Sequence, residues 1–165
     1  MINILLVGNC GSGKTWVMKQ LIKDFELNKK AKVGMVVFQT NDKISVLGNY
    51  DGSVFEGSDK LSMAVMSDCD ILKKVQNKYN MALVCEGDRF TNSTFIKKFR
   101  PVIIKITDDG SAGRLKRNSN QTERHLKAIQ TRVNNTKHSI EVKDSNEALL
   151  TIKRIINENT TVTRD

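Results

Sequence analysis

The sequence predicts an α/β fold, a mostly parallel sheet of about five strands with helices on both faces, and three observations predict it. An apolar run, Ile4-Leu5-Leu6-Val7, leads directly into Gly8-Asn9-Cys10-Gly11-Ser12-Gly13-Lys14-Thr15 and then into an amphipathic helix. That octet matches G-x-x-x-x-G-K-[ST], where glycines let successive backbone N–H groups turn inward around a phosphate chain and a Cβ would clash. Met81–Cys85 is a second continuous apolar run, ending in Glu86-Gly87-Asp88, as a central parallel strand covered on both faces requires. Further apolar runs then alternate with segments of helical period. With a hairpin and a basic lid added, the expected architecture is a P-loop NTPase fold, nucleotide-kinase-like, built as a three-layer sandwich.

The elements follow in order. Val17, Met18, Leu21, Ile22 and Phe25 form one apolar helical stripe, which reads as core. Val33 to Gln39 and Ile44 to Leu47 read as a hairpin around an Asn41-Asp42 turn. Gly48, Gly52 and Gly57 make residues 48–60 a loop, followed by helix from about Leu61 to Asn77. Thr91 or Asn92 caps a helix carrying Phe95, Ile96 and Phe99, and Pro101 stops it. After a strand over 102–106, Asp108 to Asn120 reads as a polar, glycine-containing loop before a helix with Leu126, Ile129 and Val133 on one face. A short strand at 140–142 precedes a final helix, capped by Asp144 with Glu147 three residues on. One domain over residues 1–160 is expected, with its lid around 108–121 and a disordered tail at 161–165.

Composition narrows the partners. The net charge is +9, and its location matters more than its size. Between Ser111 and His138 seven basic residues, Arg114, Lys116, Arg117, Arg124, Lys127, Arg132 and Lys137, face the single acid Glu123. Two-thirds of the excess therefore sits in that segment, either as a solvated face or as a surface that meets a polyanion, the triphosphate alone or a nucleic acid as well. Cys10, Cys69 and Cys85 lack metal-ligand spacing and read as reduced thiols. His125 and His138 lack ligand spacing too. No apolar run approaches the roughly 20 residues that span a bilayer, and Ile4 to Val7 is too short for a signal peptide. A cytoplasmic protein without membrane partners is expected.

Phosphoryl transfer needs a cradle, a metal, cations at the developing charge and a group that orients the attacking oxygen. The cradle is 8–15, with Lys14 reaching the β- and γ-phosphates of ATP and the helix dipole adding to the anion site. Trp16 either walls the nucleotide or packs. Thr15 and Glu86 are the Mg²⁺ ligands, Glu86 because it ends a parallel strand where ligands of open α/β sheets collect; Asp88 is a weaker choice. Arg114, Lys116 and Arg117 sit in the expected lid, where a guanidinium fork fits phosphate oxygens. On the acceptor side Asp51 is the expected base, ahead of Asp59, with Asp88 a further choice, although turn chemistry also favours aspartate at such positions. Tyr50 and Phe55 either stack on a base or pack. A regulatory GTPase is disfavoured because Asn77-Lys78-Tyr79-Asn80 lacks the aspartate of the guanine-reading Asn-Lys-x-Asp motif, and a motor or helicase needs a larger chain. What remains is a small kinase, or an ATP-binding module without turnover.

The stretches Gly48-Asn49-Tyr50-Asp51-Gly52-Ser53 and Glu56-Gly57-Ser58-Asp59-Lys60-Leu61-Ser62-Met63-Ala64-Val65 are similar to small P-loop kinases of bacteriophages that phosphorylate 5-hydroxymethyluracil in DNA. The likeness extends to Cys85-Glu86-Gly87-Asp88-Arg89-Phe90 and to the Gln121–Asn135 helix with Thr131-Arg132-Val133-Asn134. The resemblance implies ATP and Mg²⁺ as cofactors, DNA as acceptor, transfer to the hydroxymethyl oxygen, and location in the bacterial host cytoplasm. Tyr50, Asp51, Ser53, Asp59, Arg89 and Arg132 become the expected acceptor-binding residues. The chain departs from the family pattern at Ala128-Ile129, where a glycine and an arginine are expected; Arg132 is the candidate to replace that arginine. The alternative acceptor is a free nucleoside or nucleotide.

Overall fold

A computed structural model describes residues 1–41, 43–52, 56–58, 61 and 69–161. In chain order the elements are β1 (Asn3–Gly8), α1 (Lys14–Asp24), β2 (Lys29–Val33), β3 (Val36–Thr40), β4 (Ile44–Leu47), α2 (Cys69–Tyr79), β5 (Ala82–Glu86), α3 (Ser93–Phe99), β6 (Val102–Ile106), α4 (Ser111–Lys116), α5 (Glu123–Asn135), β7 (Ile140–Val142) and α6 (Ser145–Thr161), with a 3₁₀ turn at Asp88–Thr91 between β5 and α3. The strands form one sheet in the order β2-β3-β4-β5-β1-β6-β7. β4, β5, β1, β6 and β7 run parallel, and β3 is antiparallel to both β2 and β4.

β1 is central because both of its faces are apolar. Ile4 and Leu6 point into a core built with Val17, Met18 and Leu21 of α1 and Ile152 and Ile156 of α6. Leu5 and Val7 point into the opposite core, with Leu72 and Val75 of α2, Phe90 of the 3₁₀ turn and Phe95 and Phe99 of α3. Each such fully buried side chain contributes about 1.5–3 kcal/mol, so the strand that launches the glycine loop is held from both sides. A buried polar pin fixes its lower end: Asn3 Nδ2 donates to the Phe99 carbonyl at 2.6 Å and Gln76 Nε2 donates to Asn3 Oδ1 at 2.5 Å.

Two expectations need correction, the loop at 108–120 and the tail beginning at 161, and the strand β2 adds to what the sequence predicts. The expected hairpin is present as antiparallel β3–β4, with β4 also joining the parallel set through β5, and β2 adds a second hairpin with β3. β2 escapes sequence reading because Lys29, Lys30 and Lys32 lie exposed along a sheet edge, where lysine blunts edge pairing rather than signalling a strand; Gly34 takes φ 59 in the turn that follows. The expected loop at 108–120 contains helix α4. Of the helix expected from Leu61 to Asn77, residues 62–68 lie outside the described residues and Cys69–Tyr79 is helical. Asn92, not Thr91, caps α3, accepting from Phe95 N at 2.8 Å. The last helix reaches Thr161, and the rest of the expected tail lies outside the described residues. Among the described residues no helix is long and apolar enough to cross a membrane.

Candidate functional site

The loops that follow β1, β4, β5, β6 and β7 all leave the carboxyl edge of the parallel strands, and β1 lies where the chain's crossovers diverge: one leads to β4, on one side of β1, while later ones lead to β6 and β7 on the other. Ligands of open α/β sheets collect outside such an edge. The loop after β1 reverses sharply through Gly11 and Gly13, both at φ 88, a left-handed conformation that glycine adopts without strain. α1 begins at Lys14 with no side-chain cap and no acid in its first turn. An uncapped helix start of this kind presents its positive dipole end at the loop, which suits an anion. Lys14 curls back over the loop, its Nζ donating to the Gly8 and Asn9 carbonyls at 2.8 and 2.9 Å. Ser12 Oγ and Asn9 Oδ1 are buried with no hydrogen-bond partner among the described residues, and orphaned polar atoms in such a loop are what an absent polar ligand leaves behind.

Glu86 ends β5 beside this loop and is 4% exposed. Thr15 Oγ1 donates to its Oε2 at 3.4 Å and Tyr50 OH reaches its Oε1 at 3.2 Å. Ser58 Oγ donates to the Glu86 backbone carbonyl at 2.5 Å. A Cβ on Gly57, whose φ is 95, would come within 2.8 Å of Glu86 Oε1. Tyr50, Gly57 and Ser58, drawn together by a bridge between Asn49 and Gly57, therefore surround this carboxylate. Hydroxyl and carboxylate oxygens are the donor set hard divalent cations prefer, so Thr15 and Glu86 fit Mg²⁺. Burial, and after it the neighbouring Glu86 charge, raises the Cys85 thiol well above its ordinary pKa.

On the other flank, the segment after β6 docks on the glycine loop by backbone. A Cβ on Gly11 would strike the Gly110 carbonyl oxygen, one on Gly110 the Cys10 carbonyl oxygen, and one on Gly113 the Gly11 carbonyl oxygen. Arg114 Nη1 donates to the Cys10 and Asp109 carbonyls, each at 2.7 Å. Asp109 accepts from Ser111 N at 2.8 Å, and that bond holds its carboxyl below the usual range. The expected lid is thus a short helix seated against the cradle. The Arg114 guanidinium meets the loop at the Cys10 carbonyl, whereas the Arg117 side chain is exposed.

The remaining expected residues are distributed as follows. Arg132 Nε donates to Asp88 Oδ2 at 2.5 Å, fastening α5 to the 3₁₀ turn that follows Glu86. Arg89 is exposed on that turn, and Trp16 is 41% exposed on α1. Asp51 is exposed and accepts from Asn49 Nδ2 at 2.5 Å. Ser53, Phe55 and Asp59 lie outside the described residues. Sequence reading missed Tyr50 as the partner of Glu86, the Asp88–Arg132 pair, and Gly110 and Gly113 as docking residues; only the glycines left a visible signal, two in four residues.

Comparison with protein-family models, curated proteins and solved structures finds no match for this chain. Thiol labelling checks the loop independently. Cys10 is partly exposed, whereas Cys69 and Cys85 are buried, so an alkylating reagent is expected to modify Cys10 alone in the folded protein, as read by mass spectrometry. Labelling of all three at one rate would contradict the packing.

Proposed function

We propose that the chain is a P-loop kinase of nucleotide-kinase-like architecture that transfers the γ-phosphoryl of ATP to a hydroxyl, its acceptor being 5-hydroxymethyluracil in DNA. One observation carries the nucleotide part: a glycine loop, sprung from the central strand and opening into an uncapped helix, has the Thr15 hydroxyl in contact with a buried carboxylate from the neighbouring strand. In this reading the N–H groups of 11–15 bind the phosphate chain and Lys14 leaves its carbonyls for phosphate oxygens. Thr15 and Glu86 would hold Mg²⁺, whose contribution when bound is to neutralise charge on the β- and γ-oxygens. Tyr50 orients Glu86, Arg114 and Arg117 supply cations beside the transferred group, and Asp51 orients the acceptor hydroxyl from the rim. The resemblance over 48–65 and the basic 111–138 segment support the DNA acceptor. Reaching a base within a duplex requires flipping it out, at a cost of a few kcal/mol that phosphate contacts can offset.

The test is transfer of labelled phosphate from ATP to hydroxymethyluracil-containing DNA against the free mononucleotide. Preference for the mononucleotide makes this a nucleotide kinase, and ATP affinity with no turnover on either makes it a binding module. Salt adds a second discriminator: activity on DNA should fall steeply between about 50 and 200 mM, while transfer to a small molecule should change little. Asp51→Asn is expected to lower turnover strongly with ATP affinity near normal, as read from kcat and a nucleotide titration; unchanged kcat removes it as the base.

A further inference from the structure

Leu115 is 82% exposed, more than any other large apolar residue described. Single surface leucines are ordinary, but this one has three unusual features. It is carried by α4, whose Gly110 and Gly113 interlock with the glycine loop and whose Arg114 is bonded to the Cys10 carbonyl, so its position is fixed relative to the cradle. Its helix is closed by Asn118 at φ 48, with Asn118 N donating to the Leu115 carbonyl at 3.0 Å and Ser119 N to the Arg114 carbonyl at 3.2 Å. In that kind of helix ending an apolar contact commonly spans the residues at the positions of Arg114 and Ser119; both are polar here, so nothing draws α4's apolar residue inward. Finally, Lys116 and Arg117 follow it, both exposed, within the basic 111–138 segment.

A rigid, exposed apolar side chain set among cations matches the chemistry of duplex DNA: cations meet phosphates, and an apolar wedge fills the gap between unstacked base pairs. We infer that Leu115 is a wedge that enters the duplex and holds open the space vacated by the acceptor base. The inference rests on the DNA-base reading above and adds that the substrate is double-stranded and the base is extruded.

The experiment uses the full chain and a duplex carrying 2-aminopurine next to one 5-hydroxymethyluracil, whose fluorescence rises on unstacking, beside the same strand unpaired. Wild type is expected to raise the duplex signal. Leu115→Ala is expected to abolish most of that rise and to lower transfer to the duplex about tenfold or more, with transfer to the single strand and ATP affinity within about twofold of wild type. Leu115→Met should restore both signals, and Leu150→Ala, at a residue 68% exposed on α6, should change neither. An equal loss on duplex and single strand, or an undiminished fluorescence rise in Leu115→Ala, overturns the wedge. The fluorescence arm needs no turnover, so a wild type that unstacks DNA but transfers no phosphate refutes the kinase reading and leaves the wedge standing. A wild type that phosphorylates only the mononucleotide and raises no fluorescence refutes the wedge while leaving kinase activity in place.

Discussion

Lys14→Ala is expected to remove phosphoryl transfer, with kcat falling roughly 10²–10³-fold or more, while the protein stays folded. The two effects separate because the side chain has two sets of partners. In the fold, Lys14 Nζ donates to the Gly8 and Asn9 carbonyls, and losing part-buried hydrogen bonds of that kind costs about 1–3 kcal/mol. A domain typically holds about 5–15 kcal/mol in reserve, and α1 remains anchored by the buried Val17, Met18 and Leu21. In the proposed reaction the same ammonium would be the cation at the β- and γ-phosphates, where charge develops in the transition state. Thermal melting and labelled transfer on one preparation check both halves. Turnover within tenfold of wild type would contradict the role given to the loop; a collapsed melting transition would show that the carbonyl contacts dominate.

Gly113→Ala carries the second large effect, and its sign is the informative part. Inside a helix, glycine to alanine ordinarily stabilises by about 1 kcal/mol. Here the added methyl would overlap the Gly11 carbonyl oxygen and crowd the Gly11 backbone, atoms that no rotamer change can move aside. Overpacking of this kind costs about 1–3 kcal/mol, so the balance is destabilising, by a few degrees in Tm for a chain of this size. The larger consequence is functional. Pushing α4 off the loop breaks the Arg114 bond to the Cys10 carbonyl and withdraws that guanidinium from the cradle, so affinity for MgATP should fall about tenfold or more. Scanning calorimetry and a nucleotide titration test it, and a raised Tm with unchanged affinity would show that α4 does not dock as described.

Much of the frame was legible because the signals are local. The octet ending in Lys14-Thr15, the apolar run before it and the helical stripe after it each report on a neighbourhood of a few residues, and the structure bears out the strand, loop and helix they predict. The Met81–Cys85 run marks a strand covered on both faces for the same reason. The β2 edge strand was not legible, since its lysines face water and carry no core pattern. Nor was α4, six residues whose helicity is set by docking and by Asn118 rather than by an apolar face.

Taken by itself, the chain determined its alternation of strands and helices, the glycine loop and the concentration of positive charge after residue 110, because each is written in adjacent residues or in composition. Only the tertiary structure decided which groups meet: Thr15 and Tyr50 on the Glu86 carboxylate, Arg132 on Asp88, and Gly110 and Gly113 against the loop. Those partners lie at least 36 residues apart, and no period or spacing along a chain encodes a meeting that strand order and crossover direction bring about.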